Sequence, residues 1–295
     1  MHARLDAELV RQGLARSRRH AGELIAQGRV TVDGSVALRS ATPVGAESSV
    51  SVTGDDDPGY ASRAGHKLAG ALDALPVPVG GRVCLDAGAS TGGFTDVLLR
   101  RGAAHVCAVD VGHGQIVERL RSDARVDVRE GVNVRDLVPG AVDPVPELVV
   151  ADLSFISLGL VLPALVAVAA DRADLLVMVK PQFEVGRERL GSGGVVRDPE
   201  LRAESVVGVA TCAADLGLEV RGVVTSALPG PSGNVEFFLW LRRSGQVGTG
   251  LEPDEVRAAV LSQDAVLAQD VVLAQDAVLA QRARVEAREN PAVAS

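Results

Sequence analysis

The stretch LDAGASTGGFTDVLL (residues 85–99) has a glycine-rich turn between an apolar segment and a segment with helical spacing. Gly88, Ser90 and Gly93 occupy the three glycine positions of the G-x-G-x-x-G pattern, with serine in place of the middle glycine. The middle glycine normally lets a pyrophosphate approach the backbone, so its replacement disfavours NAD or FAD. The turn instead suits a ligand without phosphates, such as S-adenosylmethionine. A purely structural glycine turn with a capping aspartate is the alternative.

The residues around this turn alternate between apolar strands and helices, which predicts an α/β fold whose parallel sheet has right-handed crossovers. We predict seven strands, at 82–86, 105–109, 126–129, 147–151, 174–179, 218–225 and 235–241. We predict helices near 93–101, 115–121, 158–169 and 199–215. The last two strands are joined through the turn-rich PGPSG (Pro229 to Gly233), which favours an antiparallel pair. A mostly parallel sheet that closes with an antiparallel hairpin is typical of a class I, Rossmann-like methyltransferase.

The amino-terminal residues predict a separate small α+β module. Two short helices, 4–12 and 18–27, precede a hairpin whose turn is Asp33-Gly34. Residues 1–39 carry seven arginines against four acidic residues, although the whole chain has a formal charge of −8. Screening limits the reach of a charge to about 10 Å, so this local excess matters more to a phosphate backbone than the global sum. Taken alone, such a charge pattern is more often an ordinary solvated face than an RNA-binding surface.

The chain therefore divides into four predicted segments. These are a small amino-terminal module at 1–53, a linker at 54–61, an α/β domain at 62–250 and a tail at 251–295. The tail contains three near-copies of a six-residue sequence at 263–280, so we expect a helical or partly disordered low-complexity segment without an assigned role.

Composition excludes several classes of protein. The chain shows neither a signal-peptide pattern nor an apolar run of 18 residues, so we expect a cytoplasmic protein without membrane contact. Its three cysteines, Cys84, Cys107 and Cys212, form no CxxC pair and lie in apolar surroundings. We expect three buried, reduced thiols and no metal site.

Charged residues stand where predicted strands end, and ligands of open α/β sheets bind beyond the carboxyl ends of the strands. Asp86 and Asp110 end the first two strands, and Asp110 comes 24 residues after Asp86, close to the spacing expected of a carboxylate that binds cofactor ribose hydroxyls. Lys180 follows the run LLVMV and needs a carboxylate partner or must become neutral. Asp152, at the end of the neighbouring strand, is the natural partner. Glu236 interrupts the last strand, where a buried glutamate is uncommon unless paired. Structural ion pairing is the alternative for each.

At this point the chain resembles the TlyA family, also called haemolysin A, over about residues 4–243. The motifs that carry the resemblance are RLDAELVRQGLARSRRHAGELIAQGRVTVDG, SRAGHKL, LDAGASTGGFTDVLL, AVDVGHGQ, NVRDL, ADLSFISL, VKPQFEVGR and LPGPSGNVEFFLWL. The family joins an S4 RNA-binding domain to an FtsJ-like ribose methyltransferase domain. The resemblance implies 2′-O-methylation of cytidines in ribosomal RNA of the small subunit, the large subunit or both, with S-adenosylmethionine as cofactor and ribosomal subunits as partners. Two departures are the acidic run Asp55–Asp57 before the linker aromatic Tyr60, and the hexapeptide repeat.

The resemblance also assigns roles to individual residues. The family's catalytic tetrad falls on Lys67, Asp152, Lys180 and Glu236. Lys67 joins this set only through the resemblance. Expected cofactor-binding residues are Asp86, Gly88, Ser90, Thr91, Gly92, Asp110, Asn133 and Asp136. Expected RNA-binding residues are Arg4, Arg16, Arg18, Arg19 and Arg63.

In the expected mechanism Lys180 takes the proton of the attacking 2′-hydroxyl. Nearby Lys67 and partial burial would favour the neutral amine, Asp152 would oppose it and orient Lys180, and Glu236 would orient Lys67. Three other functions stay open. They are a non-catalytic RNA-binding or assembly protein, a membrane-lytic haemolysin and, last, an NAD-dependent enzyme.

Overall fold

The structure is a computed structural model that describes residues 3–15, 17–26, 29–37, 39–45, 48–52, 59–230, 232–243, 250–267 and 269. Arg16, the Asp55–Asp57 run and most of the hexapeptide repeat lie outside these residues. The chain forms two compact units, Met1–Gly59 and Tyr60–Ser295. In the described part of the chain, no helix has the length and apolar character needed to span a bilayer.

The first unit packs two helices against short strands. Its elements are β1 (Ala3–Arg4), α1 (Leu5–Arg11), α2 (Arg18–Ala26), β2 (Val30–Val32), β3 (Ser35–Val36), β4 (Pro43–Val44) and β5 (Val50–Val52). Strand β2 pairs with β3 and β5, and β1 pairs with β4. The β2–β3 turn has positive φ at both Asp33 (51°) and Gly34 (79°), as a two-residue hairpin requires. Leu5, Leu9 and Ile25 form the centre of the core.

A seven-stranded sheet forms the centre of the second unit. Its strands are β6 (Val83–Ala87), β7 (His105–Asp110), β8 (Val126–Glu130), β9 (Leu148–Ala151), β10 (Asp174–Val179), β11 (Leu218–Thr225) and β12 (Phe237–Arg243). Their spatial order is β11-β12-β10-β9-β6-β7-β8. The pairs from β10 to β8 are parallel, whereas β12 is antiparallel to both β10 and β11. This arrangement confirms the predicted sheet with its closing antiparallel strands.

Helices cover both faces of the sheet. They are α3 (Ala64–Ala74), α4 (Gly93–Arg100), α5 (Glu118–Arg121), α6 (Leu162–Val168), α7 (Pro181–Glu184) and α8 (Pro199–Asp215), and residues 253–267 are also helical. Two apolar layers result, one on each face, filled mainly by Val, Leu and Ala. Cys84 and Cys107 are buried as expected. The prediction for Cys212 is wrong, because this residue lies on the exposed side of α8.

The strand register brings four chain segments to one edge of the sheet. Ala151 of β9 is opposite both Ala87 of β6 and Val177 of β10, and Val179 of β10 is opposite Phe237, the first residue of β12. The residues that follow β6, β9 and β10 therefore lie at the same end of the sheet as the residue that precedes β12, and those after β10 lie beside it. Glu236 is that residue, so it stands just before the last strand and not inside it as predicted, because β12 begins two residues later than the apolar pattern indicates.

Candidate active site

The turn between β6 and α4 depends on three residues in the left-handed region. These are Gly88 (φ 88°), Ser90 (φ 47°) and Gly92 (φ 94°). A Cβ atom on Gly88 would lie 2.7 Å from the carbonyl oxygen of Asp152. Only glycine therefore allows the turn to approach the end of β9 so closely.

Asp110, at the end of β7, fixes the same turn from the other side. Its Oδ2 accepts a hydrogen bond from the backbone N–H of Ser90 at 2.8 Å, and its Oδ1 accepts one from the N–H of Gly112 at 2.7 Å. The hydroxyl of Ser90 donates to Oε1 of Gln115 at 3.1 Å. The carboxylate is thus held at the carboxyl end of its strand, which is the position expected for a group that contacts ribose hydroxyls.

A cavity of about 530 Å³ opens between this turn and the residues after β9. Its walls include Gly88, Ser90, Asp110, Val111, Gln115, Asn133, Asp152, Leu153, Ser154 and Phe155. Among the lining residues there are two carboxylates and several apolar side chains, but no lysine or arginine. This chemistry does not favour a phosphate-bearing ligand. It fits S-adenosylmethionine, which carries a positive sulfonium and an apolar adenine.

Four of the predicted cofactor residues do not line the cavity. Thr91 and Gly92 shape the turn behind it, and Asp136 is exposed outside it. Asp86 is fully buried beneath the turn, where its Oδ2 accepts a hydrogen bond from Oγ1 of Thr95 at 2.6 Å and its Oδ1 has no partner. Burial raises the pKa of Asp86 to about 7.

Lys180 and Asp152 form an ion pair at the carboxyl ends of β10 and β9. The Lys180 Nζ lies 2.5 Å from Asp152 Oδ1 and donates a hydrogen bond to Oγ of Ser154 at 2.9 Å. The side chains of Lys180 and Asp152 are 9% and 17% exposed. Because Asp152 and Ser154 also line the cavity, the amine is held next to the space where a cofactor would bind.

Lys67 and Glu236 form a second, more buried ion pair. Helix α3 packs over the sheet and places Lys67 Nζ 2.5 Å from Glu236 Oε2 and 4.0 Å from Met178 Sδ. The other carboxylate oxygen, Oε1, accepts a hydrogen bond from Nε2 of Gln182 at 3.3 Å. The side chains are 7% and 0% exposed. Asp152 and Lys180 follow β9 and β10, Glu236 precedes β12, and helix α3 brings Lys67 to the same end of the sheet, so the structure gathers all four tetrad residues there.

Three polar residues near these pairs were missed by the sequence reasoning: Ser154, Gln182 and Glu184. The Glu184 carboxylate accepts hydrogen bonds from Ser157 Oγ at 2.6 Å and from the Leu158 N–H at 2.9 Å. Burial raises the pKa of Glu184. The signal that could have found them is their position inside the motifs ADLSFISL and VKPQFEVGR, which also contain Asp152 and Lys180.

Acidic partners accompany the described arginines of the first unit that were predicted to bind RNA. Arg4 and Arg18 share the carboxylate of Asp6 at 3.0 and 3.2 Å, and Arg19 lies 3.3 Å from Glu23. All three arginine side chains are more than half exposed, so a phosphate can reach them in competition with these carboxylates.

In the second unit, Arg63 is partly exposed and donates a hydrogen bond to the Pro229 carbonyl at 2.8 Å. Within the described part of the chain, no three His, Cys, Asp or Glu side chains are grouped so that they could hold a metal ion.

Comparison with known proteins places this chain in a family. Residues 60–243 match the FtsJ-like methyltransferase model, and residues 3–50 match the S4 domain model. The 16S/23S rRNA (cytidine-2′-O)-methyltransferase TlyA of Mycobacterium tuberculosis is 59% identical over 240 residues, which are 81% of this chain and 90% of that protein. The putative rRNA methyltransferase YqxC of Bacillus subtilis is 38% identical, over 87% of this chain and 92% of the relative. A solved structure described as a putative hemolysin from Streptococcus thermophilus superposes with a TM-score of 0.72 at 34% identity, covering 91% of this chain and 98% of that one.

Proposed function

This chain belongs to the TlyA family of FtsJ-like methyltransferases, and from that membership we propose that it methylates the ribose 2′-hydroxyl of cytidines in ribosomal RNA. It is an S-adenosylmethionine-dependent methyltransferase with an S4 domain at its amino terminus. One observation carries the proposal. The Lys180–Asp152 ion pair stands at a sheet edge directly beside a cavity with the chemistry of an S-adenosylmethionine site.

Residues of the cavity wall would hold the cofactor. Asp110 would bind the ribose hydroxyls, Asn133 would lie near the adenine, and Gly88 and Ser90 would provide the backbone surface of the turn. Bound S-adenosylmethionine supplies an electrophilic methyl group on a sulfonium and leaves as a neutral thioether. Asp86 would support the turn from beneath and would not contact the cofactor, because its full burial keeps it away from any ligand in the cavity.

Lys180 would act as the base. A ribose hydroxyl is a weak nucleophile until its proton is removed, and a neutral amine within hydrogen-bond reach can accept that proton. Asp152 holds the amine from one side at 2.5 Å and so orients it. Burial of the pair excludes water, which would otherwise compete for the amine.

The Lys67–Glu236 pair would support this chemistry without lining the cavity. Helix α3 brings Lys67 to the same end of the sheet, where its amine pairs with Glu236. Glu236 fixes Lys67 and is itself held by Gln182, two residues after Lys180 in the chain. The second pair is therefore tied to the segment that carries the proposed base.

The S4 domain would bring the RNA. Arg4, Arg18 and Arg19 would contact phosphates, which position the substrate and carry little sequence information. The shape of the folded RNA would then provide much of the selectivity. Arg63 would extend the phosphate-binding surface within the second unit.

Purified 30S and 50S subunits incubated with the protein and labelled S-adenosylmethionine test the proposal. We expect label on a cytidine ribose of at least one subunit, resistant to alkaline cleavage at the modified position. Label on a base, or on another nucleotide, would contradict the proposed chemistry. Tight binding to subunits without any transfer would instead support the non-catalytic assembly protein.

A further inference from the structure

Two polar side chains lie against the Lys180 amine, and together they restrict the direction of its lone pair. Nζ lies 2.5 Å from Asp152 Oδ1 and donates to Ser154 Oγ at 2.9 Å. A neutral amine has two N–H groups and one lone pair in a tetrahedral arrangement. Ser154 accepts one of these hydrogens, and the Asp152 carboxylate lies against the nitrogen as its ion-pair partner, so the amine cannot turn freely about its Cε–Nζ bond and the direction of its lone pair is restricted.

We propose that Ser154 is a positioning residue for methyl transfer, whose hydroxyl holds one N–H of Lys180 so that the lone pair faces the ribose 2′-hydroxyl. This inference rests on the proposed function, in which Lys180 is the base. The 2′-oxygen bonds to the methyl carbon, the carbon–sulfur bond breaks with its electron pair going to sulfur, and the hydroxyl proton goes to Nζ. The resulting ammonium keeps one of its three hydrogens on Ser154 and remains ion-paired with Asp152.

The loop that carries Ser154 is held in place by the segment that carries Lys180. Phe155, the next residue, has a φ of 64° and is 91% exposed, a backbone conformation that is uncommon for a residue other than glycine. The far end of the loop is tied to α7, where Glu184 accepts hydrogen bonds from Ser157 Oγ and the Leu158 N–H. Segment 180–184 therefore contacts loop 152–158 at both ends, and these contacts fix the Ser154 hydroxyl relative to the Lys180 amine.

Ser154 also lines the cavity, so a direct contact with the cofactor is the rival role. The two roles make opposite kinetic predictions. A residue that orients the base lowers kcat and leaves cofactor binding unchanged, whereas a cofactor contact raises the KM for S-adenosylmethionine.

The test uses the full chain with ribosomal subunits that it methylates. We expect Ser154→Ala to lower kcat by about 10- to 100-fold, as a small misplacement of a reacting group does. The KM for S-adenosylmethionine should stay within about twofold of wild type. Ser154→Thr keeps the hydroxyl and should restore most of the rate. Ser122→Ala is the matched control, because the Ser122 hydroxyl only donates to the Glu118 carbonyl within α5 and does not line the cavity.

A double-mutant cycle with Lys180→Ala separates this inference from the base assignment. If Ser154 acts through Lys180, adding Ser154→Ala to Lys180→Ala causes no further loss of the residual rate. An equal loss in both backgrounds, a raised KM with unchanged kcat, or failure of threonine to rescue would overturn the positioning role. A wild-type rate for Lys180→Ala would contradict the assignment of Lys180 as the base. Wild-type kcat for Ser154→Ala beside an inactive Lys180→Ala would overturn only the role of Ser154.

Discussion

Lys180 and Lys67 are both buried amines paired with carboxylates, yet their surroundings differ. The carboxylate partner of Lys180, Asp152, lines the cavity, and so does Ser154. The partner of Lys67, Glu236, is fully buried and contacts Gln182. At the scale of single residues, the first amine therefore has access to bound reactants and the second has a supporting position.

Replacing Lys180 by arginine tests the need for a proton acceptor. Arginine keeps the positive charge and the ion pair with Asp152, but it cannot lose a proton in a protein. We expect Lys180→Arg and Lys180→Ala to lower kcat by at least about 100-fold. Cofactor affinity, measured by calorimetry, should be nearly unchanged because Lys180 does not line the cavity. Substantial transfer by the arginine variant would contradict the base assignment.

Asp86 gives a prediction about stability and pH. Burial raises its pKa to about 7 in the folded chain, against an ordinary value of 3.8. Between these values the folded state holds a proton that the unfolded state releases, so the contribution to stability is present at low pH and is lost as pH rises through about 7. The slope approaches about 1.4 kcal/mol per pH unit.

Asp86→Asn removes this titration, since an amide cannot ionise and its oxygen can still accept the Thr95 hydroxyl. Relative to wild type, the variant should gain free energy of unfolding as pH is raised from 5 to 8 in urea denaturation. Parallel curves for the two proteins would show that Asp86 does not titrate in this range.

At the scale of elements, the turn after β6 is the part with the least freedom. Gly88 combines a left-handed backbone with a close approach to the Asp152 carbonyl, whereas Gly81 has a φ of 74° and nothing within 4 Å of an added Cβ. Substitutions at these two glycines therefore distinguish the cost of backbone strain from the cost of a steric contact.

Gly88→Ala should cost more than Gly81→Ala. Both variants have the left-handed penalty of about 1–3 kcal/mol. Gly88→Ala adds a contact of 2.7 Å with a backbone oxygen that cannot move aside easily, an overpacking cost of about 1–3 kcal/mol more. Thermal denaturation should show this order, and only Gly88→Ala should lose cofactor affinity. Equal effects would mean that the turn can shift away from β9.

The elements differed in how far the sequence could predict them. The strands were predictable because β9 and β10 are continuous apolar runs, and the residues at their carboxyl ends share an edge by the geometry of parallel sheets. The start of β12 was misplaced, because Val235 is apolar but lies before the strand. The position of Lys67 could not be derived, since helical spacing in α3 does not say which strands that helix covers.

At the scale of the whole molecule, the amino-terminal unit has charges suited to an RNA backbone while the chain is acidic overall. Arg18 and Arg19 are exposed and paired with Asp6 and Glu23, so a phosphate that binds these arginines replaces the carboxylates. Their contribution to affinity should therefore depend strongly on salt.

Reversing both charges, Arg18→Glu with Arg19→Glu, should weaken binding to ribosomal RNA. The slope of log affinity against log salt should also fall by about 1.4 to 1.8, because each of the two lost phosphate contacts removes about 0.7–0.9. Arg125→Glu with Arg172→Glu is the matched control, since these exposed arginines precede the amino ends of β8 and β10, opposite the site. An unchanged slope for the first pair would reject its contact with phosphates.

The insertion of β12 between β10 and β11 has a consequence for biosynthesis. A nascent chain emerges amino terminus first, so β10 keeps an unpaired edge until residues 237–243 have been translated. An unpaired strand of Leu, Val and Met can pair with strands of other chains, so newly made protein is prone to aggregate until β12 is in place. Glu236 is translated immediately before β12, so it reaches Lys67 when β12 covers the edge of β10. Closure of the sheet and completion of the second ion pair are therefore one late event in the maturation of the enzyme.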